Sequence, residues 1–320
     1  MQDVAVDVRD FRKHYGKTVA VDGISFQVQR GEIFGLLGPN GAGKTSTLEC
    51  LEGLRRPDGG TLRVMGIDPV RESRHLLRVI GVQLQTGALP GYLTVGEAMR
   101  LFGAYHGVDP DSSLLERLDL TDKMKTQYHA LSTGQQRRLN LALAVVHRPQ
   151  VLFLDEPTAG LDVASRNSLH RLMRELREQG TTIVLSTHDM AEAETMADRV
   201  AILLRGRLVA IGTPKEITAT GAGLTKVSVR TTNGRLAEAK LPNVTHRVQQ
   251  GDYTVFFTSA PGPTAAAVIS HIDETMDELI DLRVERPSLE ERFLELTQDC
   301  DAGASPATHT QAPHGEGESK

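Results

Sequence analysis

A glycine-rich loop at residues 38–45 constrains the fold and chemistry of this chain more than any other stretch. It reads Gly, four residues, Gly, Lys and Thr, and it joins an apolar run, residues 33–37, to a helix-like segment, residues 46–51. Glycines let successive backbone N–H groups turn toward phosphate oxygens, and the helix start adds partial positive charge. Lys44 supplies a cation for terminal phosphates, and the Thr45 hydroxyl suits Mg²⁺. The pattern therefore predicts a strand–loop–helix phosphate site.

Composition and charge limit the number of domains and the kinds of partner. A chain of 320 residues, of which 39% are hydrophobic, predicts about two domains with a sizeable core. The net charge of −5 gives no overall attraction to nucleic acid, so none is expected as a partner. The longest apolar stretches, such as residues 141–146, are far shorter than a bilayer span, and the acidic N-terminus lacks a signal peptide. We expect a cytoplasmic chain in which Cys50 and Cys300 are free thiols.

Hydrophobic periodicity predicts an α/β fold for the first two thirds of the chain. Residues 4–31 alternate as in a short β meander, whereas residues 151–154 and 183–185 are continuously apolar. Between these two runs, Leu169, Leu172, Met173 and Leu176 recur at helical spacing. Continuously apolar strands that alternate with helices are typical of a buried parallel sheet.

The character of the sequence changes near residues 220–223, which we interpret as a linker between domains. Residues 1–220 would then form the first domain, with a mostly helical section at about 88–147. Residues 221–299 would form a small α+β domain. Its expected elements are strands at 226–230, 235–241, 253–257 and 279–284, a helix at 263–276, and a last helix opened by a capping box of Ser288 and Glu291. Residues 300–320 have almost no bulky apolar side chains, and we expect them to be disordered.

Two carboxylates follow the apolar strand at 151–154. Ligands in open parallel sheets bind outside the carboxyl ends of the strands, so Asp155 and the phosphate loop meet at one edge and can share Mg²⁺. Glu156 points elsewhere and can polarise a water molecule for attack on the γ-phosphate. The alternative is a strand that simply ends in solvated acids; the phosphate loop upstream favours the catalytic interpretation.

Residues 131–135 (Leu-Ser-Thr-Gly-Gln) resemble the signature of ABC-type ATPases, usually Leu-Ser-Gly-Gly-Gln. Tyr15 resembles the aromatic residue of that family that stacks on adenine, and Gln85 resembles the glutamine that senses Mg²⁺ and the membrane partner. Residues 159–162 resemble the loop that touches the opposite subunit, and His188 resembles the histidine that contacts the γ-phosphate. These motifs occur in order at the usual spacing, over about residues 4–217.

The resemblance implies an ABC cassette of the P-loop NTPase fold, with a parallel core sheet, an antiparallel β subdomain and a helical subdomain, followed here by the small α+β domain. It implies ATP and Mg²⁺ as cofactors. It assigns catalysis to Lys44, Glu156 and His188, and metal binding to Thr45, Gln85 and Asp155. The nucleotide-binding positions that it implies are Tyr15, Gly38, Pro39, Asn40, Gly41, Ala42, Gly43, Lys44, Thr45, Ser46, Gln85, Ser132, Gly134, Gln135 and Asp162.

The signature segment also makes physical sense without the family. Ser132 and Gln135 form a Ser-x-x-Gln capping box at the start of a helix, and a capped helix start is also an anion site. In the family, this helix start meets the ATP held by a second copy, so that ATP closes a dimer and hydrolysis reopens it. Thr133 departs from the pattern, because the usual signature has glycine there. We expect function to survive, since Ser132 and Gly134 remain.

The closing segment, residues 287–297, strongly resembles that of daunorubicin-resistance-type ATPases. This resemblance implies the ATPase subunit of an exporter of a drug, antibiotic or lipid-like substrate. Such a subunit lies peripherally on the cytoplasmic membrane face, as a homodimer bound to separately encoded permease subunits. The alternative is a soluble ABC-type ATPase that acts on ribosomes or DNA. A third hypothesis treats residues 222–298 as a ligand-sensing module. We favour the alternative that they form a dimer-stabilising appendage.

Overall fold

The computed structural model describes residues 4–85, 89–219, 224–234, 236, 239 and 241–302, with side chains through residue 297. The predicted linker at 220–223 lies outside these residues. The described part contains three sheets with helices packed against them, and it confirms the α/β fold predicted from the periodicity.

A six-stranded sheet forms the centre of the N-terminal two thirds of the chain, in the order β5-β6-β7-β3-β8-β9. All neighbouring pairs are parallel except β8 and β9, which form a hairpin. The continuously apolar runs are buried along their whole length because helices or a second sheet cover both faces. The strands are β3 (Ile33–Leu37), β5 (Ile80–Gln83), β6 (Val151–Asp155), β7 (Thr182–Thr187), β8 (Arg199–Leu204) and β9 (Arg207–Gly212).

A three-stranded antiparallel sheet contains the predicted meander. It consists of β1 (Val4–Tyr15), β2 (Thr18–Gln29) and β4 (Gly59–Val64), with β1 in the middle. Helix α1 (Lys44–Leu51) and this sheet share one buried apolar cluster with one face of the central sheet. The helix begins at Lys44, two residues earlier than expected. Cys50 of α1 is a buried free thiol, as expected.

Helices cover the opposite face of the central sheet and build a second buried cluster. The helical section predicted at 88–147 is confirmed from Val95 onward, with short loops and single helical turns between its helices. The helices on this face are α3 (Val95–His106), α4 (Ser112–Arg117), α5 (Thr133–Val145), α6 (Val163–Glu178), α7 (Met190–Met196) and α8 (Pro214–Ala219). The sequence reasoning missed the short helix α2 (Ser73–Val79) before β5, which packs through Leu76 into the cluster that contains α1.

The C-terminal segment forms a four-stranded antiparallel sheet with one helix on one face, in the order β11-β12-β10-β13. Its elements are β10 (Thr225–Thr231), β11 (Val244–Gln250), β12 (Tyr253–Thr258), α9 (Pro261–Glu274) and β13 (Leu279–Glu285). Most of the strand expected at 235–241 lies outside the described residues. The second strand is β11, which periodicity missed because its Val-Thr-His-Arg-Val-Gln-Gln sequence is mostly polar and exposed.

The last helix among the described residues, α10 (Leu289–Ala302), packs against α7. Leu289 is fully buried in the same cluster as helix α7, and its N–H donates to Glu194 Oε2 at 3.3 Å. The predicted capping box forms only in part: Ser288 Oγ accepts from the N–H of Glu291 at 3.2 Å, whereas the Glu291 carboxylate pairs with Lys226 of β10. Because α10 continues to residue 302, the start of the predicted disordered tail is helical; residues 303–320 lie outside the described part.

Candidate nucleotide site

The loop between β3 and α1 depends on glycine at two positions. Gly38 and Gly43 have φ of 150° and 105°, a backbone region that side chains rarely adopt. A Cβ atom would lie 2.3 Å from the carbonyl oxygen of Leu203 at the first position and 2.6 Å from that of Ala20 at the second. Gly43 is the N-cap of α1 and no side chain caps this helix start. Its N–H groups are therefore available to an anion.

Lys44 lies almost fully buried beneath this loop. Its Nζ donates to the carbonyl oxygens of Gly38 at 2.7 Å and Pro39 at 3.1 Å, and it lies 4.0 Å from Glu156 Oε1. Burial lowers the pKa of Lys44, while the charges of Glu156 and Asp155 act in the opposite direction. The ammonium group is thus held between the phosphate loop and the acidic strand end.

A cavity of about 490 Å³ opens above the loop. Tyr15, at the end of β1, forms one wall of the cavity. The Lys13 Nζ and the Arg55 guanidinium each lie 5.3 Å from the centroid of the Tyr15 ring. Sequence reasoning missed the wall contributed by the start of β2, which follows Tyr15 through a tight turn. The lining residues are Tyr15, Thr18, Val19, Ala20, Asn40, Gly41, Ala42, Gly43, Lys44, Thr45, Ser46, Gln85 and Glu156.

Asp155 and Thr45 meet at the edge of the central sheet. The Thr45 hydroxyl donates to Asp155 Oδ1 at 3.4 Å, and the Ser186 hydroxyl of β7 donates to the same carboxylate oxygen. Hydroxyl and carboxylate oxygens are the donors that Mg²⁺ prefers, and phosphate oxygens complete such a site. These two residues therefore fit the predicted metal site.

Glu156 is the point at which the predicted catalytic side chains converge. Its Oε1 contacts His188 Nδ1 at 3.0 Å, and its Oε2 accepts from Gln85 Nε2 at 3.4 Å. Its φ of 47° is strained for a non-glycine residue, and its N–H donates to the Ser186 carbonyl and hydroxyl oxygens, which hold this conformation. Arg137 of α5, which sequence reasoning missed, donates to the Glu156 carbonyl oxygen at 3.4 Å.

The signature residues occupy a different surface from the cavity. Ser132 caps α5, and the reciprocal capping box with Gln135 is formed. A Cβ atom on Gly134 would lie 2.9 Å from Ser165 Oγ, so this glycine allows α5 to pack closely on α6. Asp162 is the N-cap of α6 and accepts from both the N–H and the hydroxyl of Ser165. These four predicted ligands do not line the cavity of their own chain.

The strand order, phosphate loop and acidic strand end together define a P-loop nucleotide-binding cassette. The family model of the ABC transporter matches residues 21–159. The daunorubicin resistance ATP-binding protein DrrA3 of Streptomyces coeruleorubidus is 37% identical over 93% of this chain and 98% of its own length. A Nod factor export ATP-binding protein I of Ralstonia nicotianae is 38% identical over 91% of this chain and 93% of its own length.

The solved structure of an ATP-binding subunit of an ABC transporter superposes with a TM-score of 0.63 at 29% identity, covering 67% of this chain and 92% of that one. The chain belongs to the ABC transporter family, as an ATP-binding subunit that hydrolyses ATP. None of the helices in the described part of the chain is both long and apolar enough to cross a membrane.

Proposed function

We propose that the convergence of Lys44, Glu156 and His188 beside the phosphate loop is the site of ATP hydrolysis. Lys44 and the N–H groups of α1 bind the phosphates. Glu156 takes the proton of the attacking water. His188, in contact with the same carboxylate at 3.0 Å, positions Glu156 relative to the γ-phosphate.

Thr45, Gln85 and Asp155 would hold Mg²⁺, which neutralises developing charge on the phosphates when bound. Gln85 would also couple the metal site to Glu156, since its amide contacts the Glu156 carboxylate at 3.4 Å. Tyr15 would stack on the adenine ring at the far wall of the cavity. Substituting Asp155 with Asn should raise the Mg²⁺ concentration that half-maximal turnover requires, while leaving nucleotide binding measurable by fluorescence titration.

The active form would be a dimer in which each ATP lies between two copies. The supporting observation is that Ser132, Gly134, Gln135 and Asp162 lie outside the cavity of their own chain, although Ser132 presents a capped helix start suited to an anion. Those residues would then meet the phosphates held by a second copy. Binding of ATP then closes the pair and hydrolysis releases it.

The biological role that best accounts for the whole chain is export. The similarity to DrrA3 covers 93% of this chain, so it includes the C-terminal sheet and α10 as well as the cassette. We therefore propose a peripheral subunit on the cytoplasmic membrane face, which powers efflux of a drug, antibiotic or lipid-like substrate through separately encoded permease subunits.

Coexpression tests this role. The chain should sediment with membranes when the multi-span protein encoded beside it is coexpressed, and should stay in the supernatant without it. Remaining in the supernatant in both cases would refute the role in export. Stimulation of ATP turnover by ribosomes or DNA would instead favour the soluble alternative.

A further inference from the structure

Glu192, on the first turn of α7, is a buried carboxylate to which the proposed hydrolysis mechanism assigns no role. Only 5% of its surface is exposed, although it lies four residues beyond His188 on a helix whose other face packs into the apolar cluster. A buried carboxylate is costly unless several donors satisfy it, so its partners indicate its purpose.

Two donors from two separate segments converge on this carboxylate. His170 Nε2 of α6 contacts Oε1 at 2.8 Å, and the Thr187 hydroxyl at the end of β7 donates to Oε2 at 3.0 Å. Ser186, directly before Thr187, accepts from the N–H of Glu156 with both its carbonyl and its hydroxyl oxygen. The carboxylate therefore fixes the end of β7, which is bonded to the Glu156 backbone on one side and leads into the His188 loop on the other.

The contacts continue into the backbone on both sides of His188. Thr187 Oγ1, while donating to Glu192, also accepts from the N–H of Asp189 at 3.0 Å. The Asp189 side chain in turn accepts from the N–H of Glu192 at 2.9 Å, as the N-cap of α7. The residues immediately before and after His188 are thus both fixed to Glu192.

We propose that Glu192 is a positioning residue for ATP hydrolysis: it fixes the His188 loop against the Glu156 loop, so that the 3.0 Å contact between His188 and Glu156 is preformed. This inference rests on the proposed roles of Glu156 and His188. Preformed geometry raises turnover because a misplacement of about 1 Å costs on the order of a hundredfold in rate.

The proposed role of Glu192 depends on its negative charge. Burial alone would raise the pKa of Glu192, but hydrogen bonds such as those from His170 and Thr187 keep that pKa below its usual value. Both carboxylate oxygens accept, so an amide in the same place would turn one NH₂ group toward a donor. Glutamine therefore keeps both contacts only if His170 or the Thr187 hydroxyl turns from donor to acceptor, which changes the bonds that hold the loop, whereas at Glu194 one acceptor oxygen is enough to accept from the N–H of Leu289.

Steady-state ATP turnover of four chains tests the proposal: wild type, Glu192→Gln, His188→Ala and the double variant. Glu192→Gln should lower kcat about ten- to a hundredfold and leave KM for ATP within about twofold. In the His188→Ala background the same substitution should lower the residual kcat less than about twofold, because it acts through His188. Glu194→Gln, the matched change on the same helix, should turn over as wild type does.

A second pair of variants keeps the test decisive if Glu192→Gln does not fold. Thr187→Val removes one donor with nearly the same shape and should lower kcat, whereas Thr187→Ser should restore it. Unchanged kcat in Glu192→Gln and Thr187→Val, or a full additional loss in the His188→Ala background, would overturn the positioning role. Wild-type turnover in His188→Ala and Glu156→Gln would instead overturn the proposed hydrolysis site itself.

Discussion

Glu52, which directly follows α1, offers a sharp test of the packing around the phosphate loop. It is 4% exposed, and neither of its carboxyl oxygens has a hydrogen-bond partner among the described residues. Burial raises the pKa of Glu52 to about 8, and the negative charges of Asp155 and Glu49 add to this effect. The side chain is therefore neutral in the folded chain at pH 7, and it ionises only at a cost in stability.

The size of that cost follows from proton linkage. The folded pKa of about 8 lies above the usual 4.5, so the stability that the protonated form supplies is complete below pH 4.5 and is lost as the pH rises through 8. At about 1.4 kcal/mol per pKa unit, the free energy of unfolding falls by about 1.4 kcal/mol at pH 5.5 and by about 4–5 kcal/mol at pH 8.5. Glu52→Gln, which cannot ionise, should avoid this loss.

Urea denaturation of wild type and Glu52→Gln at pH 5.5 and pH 8.5 measures the difference. The gain in unfolding free energy from the substitution should be about 3 kcal/mol larger at pH 8.5 than at pH 5.5. Glu178→Gln, at an exposed position at the end of α6, should change the free energy of unfolding by the same amount at both pH values. A pH-independent effect of Glu52→Gln would show that the carboxylate is solvated, and would refute the reasoning.

Three further predictions follow from single positions. Lys44→Ala should abolish ATP binding in a fluorescence titration, and wild-type turnover in that variant would contradict the assignment of the loop. Gly81→Ala should cost about 1–3 kcal/mol in urea denaturation because its Cβ would lie 2.1 Å from the Ala144 carbonyl oxygen; unchanged stability would disprove that contact. Leu289→Ala should cost about 2–5 kcal/mol and increase hydrogen exchange in α10, whereas Leu294→Ala, at a position 53% exposed, should change stability by less than about 0.5 kcal/mol. Equal effects of the two leucine substitutions would contradict the docking of α10.

Local sequence patterns predicted the elements that are either wholly apolar or amphipathic. Strands β3, β6 and β7 were recognisable because both of their faces are buried, and α6 because its apolar residues recur at helical spacing. Strand β11 gave no such pattern because it is a mostly exposed edge strand. Its residues form a strand because they pair with β12, and this pairing is not visible in the local sequence.

The same limit applies to the site. The phosphate loop and the acidic pair are contiguous in sequence, so their chemistry was visible there. The contacts of Glu156 with Gln85 and His188 join residues far apart along the chain, and only the strand order brings them together. Glu192 gave no signal at all, because a glutamate in the first turn of a helix is ordinary; its buried partners His170 and Thr187 become visible only in the fold.

The central claim is that two copies of this chain close around ATP and that Glu156 reopens them by hydrolysis. Light scattering coupled to gel filtration of Glu156→Gln with ATP and Mg²⁺ tests this claim most directly. We predict about twice the 34.8 kDa mass of the single chain with ATP, and the single mass without nucleotide or with Lys44→Ala added as a second substitution. A single-chain mass for Glu156→Gln with ATP bound would contradict the account.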